Sequence, residues 1–208
     1  MKTQVKASHY FNNSYDTKER FISYWHQIQE ILLLKPKKVL EIGIGNGFVS
    51  KYLKERGVNI TILDIDERLN PDFVGSVLEL PFVDKSFEVI ACYEVLEHLP
   101  YRDFPKALRE IYRVSNSYAV LSLPDLSRVY RFSIQIPKVG EVKILIPLPR
   151  LKPLTWEFNG EHYWNIGTKG YSLRKVIGEI RNVGFEIKKN YRVFEISWHR
   201  FFVLKKTQ

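Results

Sequence analysis

Lys38-Val-Leu-Glu41-Ile-Gly43-Ile-Gly45-Asn-Gly47-Phe48 constrains this chain more than any other stretch. An apolar run ends in an acid, and glycine then stands at every second position. Residues 39–42 read as a buried strand. Residues 48–56 read as a helix with Phe48, Tyr52 and Leu53 on one face and Gly57 at its end. The turn between them lacks a side chain at three positions, which lets a backbone lie close against a ligand. A strand, a glycine turn and a helix N-terminus together make a nucleotide site in an open parallel sheet.

The chain has 208 residues, 45% hydrophobic and 26% charged, the profile of a single globular domain with one core. No apolar run approaches the roughly 20 residues that span a bilayer. The opening residues carry no secretory apolar segment. Cys92 is the sole cysteine, so no internal disulfide can form and a cytoplasmic setting is expected. The net charge of +9 suits nucleic acid, anionic lipid, an acidic substrate or solvated lysines alike.

Residues 1–35 read as an arm followed by a helical cap, with Phe21, Trp25, Ile28 and Leu32 at helical spacing. Residues 36–124 read as the cofactor-binding core. Strands are expected at 58–63, 73–77, 86–92 and 118–123. A helix capped by Asp103 carries Phe104, Ala107, Leu108 and Ile111. The segment between the second and third strands is too short for a full helix. Residues 125–170 are punctuated by proline and glycine and read as an insertion, with a hairpin pairing 133–136 and 142–146. Residues 171–208 carry a helix capped by Ser172 and two last strands that pair antiparallel.

Asp64 closes the second strand, where a carboxylate can accept both hydroxyls of a ribose; Asp66 competes for that role. Phe48 stands where a dinucleotide fold wants a third glycine or alanine. The acid-x-Gly-x-Gly-x-Gly run resembles motif I of the class I S-adenosylmethionine-dependent methyltransferases. Gly75-Ser-Val-Leu-Glu-Leu80-Pro81-Phe82 is similar to the family's "Gly-Asp-Ala…Leu-Pro-Phe" stretch, with Ser76 where the family has an adenine-binding aspartate. Asp84-Lys-Ser86-Phe87-Glu88 and Glu94-Val-Leu-Glu97-His98-Leu99 resemble the corresponding run of the methyltransferase type 11 group. The resemblance implies a Rossmann-like α/β fold, a seven-stranded mostly parallel sheet with an antiparallel last strand. It also implies S-adenosyl-L-methionine as cofactor, held by Glu41, Gly43, Gly45, Gly47, Asp64, Ile65, Ser76, Val77, Leu78 and Tyr93.

Methyl transfer needs the acceptor held in line behind the methyl group, and a base only when the acceptor arrives protonated. His98, His162 and Glu94 are the candidates for that chemistry. His98 can equally cap or orient its loop, and His162 can equally pack as a lid residue. No metal site is expected, because no histidines or cysteines stand at ligand spacing. Between residues 126 and 164 basic and large apolar side chains interleave. That suits a lid over a small-molecule or lipid-like acceptor, a peripheral membrane contact, or RNA stacking, which is the least favoured of these. The alternatives to a small-molecule methyltransferase are an RNA or protein methyltransferase, a non-catalytic cofactor-binding module and a dinucleotide oxidoreductase. Oligomeric state is not readable.

Overall fold

The computed structural model describes residues 5–12 and 14–207, so the first four residues of the expected arm, Asn13 and Gln208 lie outside it. The middle of the sheet is made by the strands whose two faces are both apolar. These are β1 (Lys38–Ile42), β4 (Phe87–Tyr93) and β5 (Ser115–Pro124). β2 (Asn59–Asp64) and a two-residue β3 (Phe73–Val74) flank β1 in parallel. On the other side, β9 (His199–Lys206) runs antiparallel to both β5 and β8 (Phe185–Arg192). The order across the seven strands is β3-β2-β1-β4-β5-β9-β8. This is the expected sheet with its antiparallel last strand.

Alternate residues of each strand face opposite layers. Leu40, Ile42, Ile90, Cys92 and Leu121 pack under α3 (Phe104–Val114) and α4 (Leu173–Asn182). Val39, Val89, Ala91, Val120 and Phe201 pack under α1 (Lys18–Leu34) and α2 (Phe48–Glu55). Between β2 and β3 there is only the short turn of 3-10 helix Glu67–Leu69, in keeping with the expected lack of a full helix. Ser172 caps α4 by accepting from the Lys175 N–H at 3.2 Å.

Three local readings are corrected. α1 turns Ser23, Tyr24, Gln27, Glu30 and Ile31 inward, while Phe21 and Trp25 are exposed. The polar members of that face are satisfied: Glu30 meets Lys189 Nζ at 2.7 Å and Tyr191 Oη at 2.9 Å. In α2 it is Val49 and Leu53 that face the sheet, and Phe48 stacks on Tyr24 instead. Asp103 precedes α3 without a capping hydrogen bond from its side chain.

The 125–170 segment divides into two unlike parts. β6 (Val129–Ile136) and β7 (Gly140–Pro147) form a separate two-stranded ribbon. Its cross-strand pairs Tyr130–Ile146, Phe132–Ile144 and Ile134–Val142 share one face, which is largely exposed. From its other face, Arg131 donates to the Glu195 carbonyl and Lys143 to the Glu195 carboxylate, both at 2.7 Å. Residues 164–168 instead enter the core. Trp164 and Ile166 are fully buried, the Trp164 indole donates to the Leu99 carbonyl at 3.2 Å, and the Ile166 N–H donates to the Pro124 carbonyl at 2.9 Å.

Candidate active site

The carboxyl ends of β1, β2 and β4 enclose a cavity of about 180 Å³. Parallel strands leave their ligand crevice at this end. The glycine turn is tied to β2 by backbone and carboxylate together. The Gly43 N–H donates to the Leu63 carbonyl at 2.9 Å, and the Ile44 N–H to Asp64 Oδ2 at 2.9 Å. The other oxygen of Asp64 accepts the Asp66 N–H at 2.8 Å. Gly43 has φ +84°, and a Cβ there would lie 2.4 Å from Val95 Cγ2, so only glycine lets the turn pass under the loop that follows β4.

Of the residues expected to hold the cofactor, Glu41, Gly43, Gly45, Asp64, Ile65, Ser76, Val77 and Tyr93 line this cavity. Gly47 and Leu78 are not among its lining residues. Gly47 is the N-cap of α2, and the Leu78 N–H donates to Ser76 Oγ at 3.2 Å. Asp66 also lines the cavity, but Arg68 grips its carboxylate at 2.7 and 2.8 Å. That ion pair lowers the Asp66 pKa, whereas burial raises that of Asp64. Glu41 is fully buried, its Oε2 has no hydrogen bond, and burial pushes its pKa up to about 8. A buried carboxyl with one unpartnered oxygen beside a glycine turn can receive a cation once it gives up its proton. These features fit an amino-acid ammonium at Glu41 and a ribose at Asp64.

The loop after β4 supplies the opposite wall. Glu94 lies just past Tyr93 with φ 51°, a conformation that an acid adopts only when its surroundings hold it there. Its Oε1 has no hydrogen bond, its Oε2 is 3.7 Å from His199 Nε2, and burial raises its pKa to about 7. His199 is held on its other side by Ser23 Oγ at 2.9 Å, and burial pushes it down to about 3. A neutral imidazole therefore faces a carboxyl that is itself largely protonated below neutral pH. His98 lines the cavity and donates through Nδ1 to the Glu161 carbonyl at 2.9 Å. His162 is not among the lining residues. Its ring stands 5.0 Å from that of His98, with Nδ1 on Asn165 Oδ1 at 3.0 Å. The two histidines singled out separately in the sequence thus meet in space.

A set of residues that sequence reasoning did not assign to the site closes it from the amino-terminal side. Tyr10, Tyr15, Arg20, Tyr24 and Gln27 line the cavity, while no lining residue comes from 125–170. A Cβ at Gly45 would meet Tyr15 Oη at 3.6 Å, and the Arg20 guanidinium lies 4.2 Å from the Tyr15 ring centroid. Asp16 accepts from Asn46 Nδ2 at 2.9 Å and so ties this arm to the glycine turn. The density of tyrosine in residues 10–15 was the available signal. His199 carried none.

Residues 40–122 match the model of a methyltransferase domain. This segment is similar to the methyltransferase domain family. The chain is 30% identical over 141 residues to a ubiquinone biosynthesis O-methyltransferase of Pseudomonas aeruginosa (strain UCBPP-PA14), a match over 59% of this chain and 58% of that protein. It therefore spans less than two thirds of the length of the curated relatives it matches. Among solved structures, the PH0226 protein of Pyrococcus horikoshii OT3 is similar with TM-score 0.64 and 17% identity, over 98% of this chain and 100% of that one. A Burkholderia thailandensis 1,6-didemethyltoxoflavin-N1-methyltransferase, solved with 1,6-didemethyltoxoflavin and S-adenosylhomocysteine, is similar with TM-score 0.65 and 15% identity. That match covers 97% of this chain and 85% of the other. The fold is shared with these structures, the second of which is a methyltransferase solved with S-adenosylhomocysteine.

Proposed function

We propose that the chain is an S-adenosylmethionine-dependent methyltransferase acting on a small-molecule or lipid-like acceptor in the cytoplasm. The observation that carries this reading is the pairing of a buried Glu41 carboxyl, one oxygen of which has no hydrogen bond, with a backbone-braced Asp64 across one glycine turn. When bound, S-adenosylmethionine supplies a methyl group on a sulfonium leaving group. Asp64 accepts the ribose hydroxyls, Glu41 takes the ammonium, and Gly43 and Gly45 give the turn its close approach. Ile65, Leu69, Val77 and Leu99 make an apolar slot for the base beside Ser76. Gly47 and Leu78 contribute through the backbone, as the α2 N-cap and the partner of Ser76. Tyr93, Tyr10 and Tyr15 exclude water from the site. Glu94 and His98 stand on the acceptor side, with His162 behind His98, where a proton from an acidic acceptor can be received.

Calorimetric titration with S-adenosylhomocysteine tests the reading directly, with NADH as control. Binding of NADH and not of the homocysteine product overturns it. Incubating the chain with labelled methyl donor and cell extract then distinguishes an enzyme from a binding module. Label that partitions into organic solvent or the small-molecule fraction supports the acceptor class, and label lost to nuclease assigns RNA instead.

The lipid-like option draws support from the β6–β7 ribbon, whose outward face is apolar through Tyr130, Phe132, Ile134, Ile144 and Ile146. Arg128, Lys138, Arg150 and Lys152 flank it, an arrangement suited to an anionic bilayer surface. Cosedimentation with phosphatidylglycerol vesicles that is lost in Phe132→Ser/Ile144→Ser supports the contact; equal sedimentation of both proteins removes it.

A further inference from the structure

Glu97, His98 and His162 bring one donor atom each to within 4.8 Å of the others. His162 Nε2 faces Glu97 Oε1 at 3.9 Å, and the two imidazole planes are nearly perpendicular at 86°. Glu97 is completely buried, and neither of its carboxylate oxygens has a hydrogen bond. A buried carboxylate in that state is costly unless something positive meets it.

The surroundings hold together the two segments that carry these side chains. The Tyr163 N–H donates to the Glu97 carbonyl at 2.9 Å, and the Trp164 indole donates to the Leu99 carbonyl at 3.2 Å. These bonds clamp residues 162–164 onto the 3-10 turn Leu96–His98. Both imidazoles bond through Nδ1 to an oxygen, the Glu161 carbonyl for His98 and the Asn165 amide oxygen for His162. For His162 the amide-oxygen acceptor puts the proton on Nδ1 and the ring lone pair on Nε2, as in histidines that ligate metals.

We propose that Glu97, His98 and His162 bind a divalent transition-metal ion of the zinc class beside the cofactor cavity. Two imidazoles and one carboxylate are a donor set for zinc and its first-row neighbours, and three protein ligands leave a coordination position open. Ligand bonds of about 2.0–2.2 Å set tetrahedral donors about 3.3 Å apart. The present separations close to that value by side-chain rotation. His98 is also a cavity wall, so the open position is on the side an acceptor reaches. An ion there lowers the pKa of a hydroxyl that coordinates it, and so favours oxygen acceptors over apolar carbon ones. That use rests on the methyl-transfer reading; the binding itself does not.

The test is calorimetric titration of chelator-treated, dialysed full chain with zinc chloride, without methyl donor. One saturable site per chain is expected, weakened at least tenfold by Glu97→Gln and by His162→Ala. Cobalt chloride should give visible d–d absorption that both substitutions abolish. The His162 side chain is 24% exposed, so His162→Ala keeps the test alive if Glu97→Gln fails to fold. Asp64→Ala separates the two readings: it weakens S-adenosylhomocysteine and leaves zinc unchanged. Absence of a saturable site, or a site that neither substitution weakens, overturns the proposal. Zinc binding without any binding of S-adenosylhomocysteine overturns the methyl-transfer reading and keeps the metal site.

Discussion

Two sides of the same cavity carry buried carboxyl groups and are built by opposite means. On the β1–β2 wall, Asp64 takes backbone N–H groups on both oxygens, and Glu41 sits one strand away in direct register with Ile62. Everything there comes from residues 41–66. After β4, Glu94 lines the cavity and Glu97 lies behind it; each leaves a buried carboxylate oxygen without a partner, and their neighbours His162 and His199 arrive from far along the chain. The first wall is shaped by backbone and suits one ligand geometry. The second is shaped by side chains and leaves its acids short of partners, the condition of a site that acts on protons or cations.

The comparison can be strained from either side. The largest effect is expected from Asp64→Ala: loss of charge-assisted bonds to a ribose weakens S-adenosylhomocysteine by about 100-fold or more in calorimetry. An effect under fivefold would mean that the first wall does not hold the ribose. Glu41→Gln comes next. The folded carboxyl titrates at about 8 against an ordinary 4.5. A raised folded pKa means that the native state binds the proton more tightly than the unfolded chain does. Its stabilising contribution is present below pH 4.5 and is lost as pH rises toward 8. The loss is on the order of a few kcal/mol at about 1.4 kcal/mol per unit. Thermal melts of the wild type from pH 5 to 8.5 should show this decline, and Glu41→Gln should flatten it. The same titration makes S-adenosylhomocysteine binding release protons near pH 7, measurable as a dependence of the calorimetric heat on buffer ionisation.

Gly43→Ala is expected to cost about 1–3 kcal/mol, from its positive φ and the contact with Val95, and to weaken the homocysteine product as the turn shifts. A melting temperature and affinity both unchanged would show that the turn has room to spare. The smallest effect belongs to the ribbon. Replacing residues 129–147 by a short glycine-serine loop should leave product binding within about twofold, because no residue of that span lines the cavity.

The same contrast sets what could be read from sequence. The glycine turn, Asp64 and the Leu80-Pro81-Phe82 corner are local, and each residue type is demanded by its own backbone. The α1 face was misread because its inward residues are polar. Ser23 is matched by His199, and Gln27 bonds to Ser23 while its carbonyl takes the Tyr93 hydroxyl. Periodicity of apolar residues cannot register a face of that kind. The absence of ligand spacing argued against a metal, yet Glu97 and His162 lie 65 positions apart and meet through the Tyr163–Glu97 backbone bond. The 125–170 segment looked uniform in composition. Trp164 and Ile166 belong to the core, while Phe132 and Ile144 face outward, and only tertiary packing separates them.

The Tyr163–Glu97 bond also orders events in time. A chain leaving the ribosome exposes the glycine turn, Asp64 and β4 while residues 160–199 are still unmade. The β1–β2 side of the cavity therefore has its full set of residues first, and the side after β4 gains His162, and then His199, only near the end of synthesis. A nascent chain stalled before residue 160 carries one side of the cavity complete and leaves Glu94 and Glu97 without the histidines that face them.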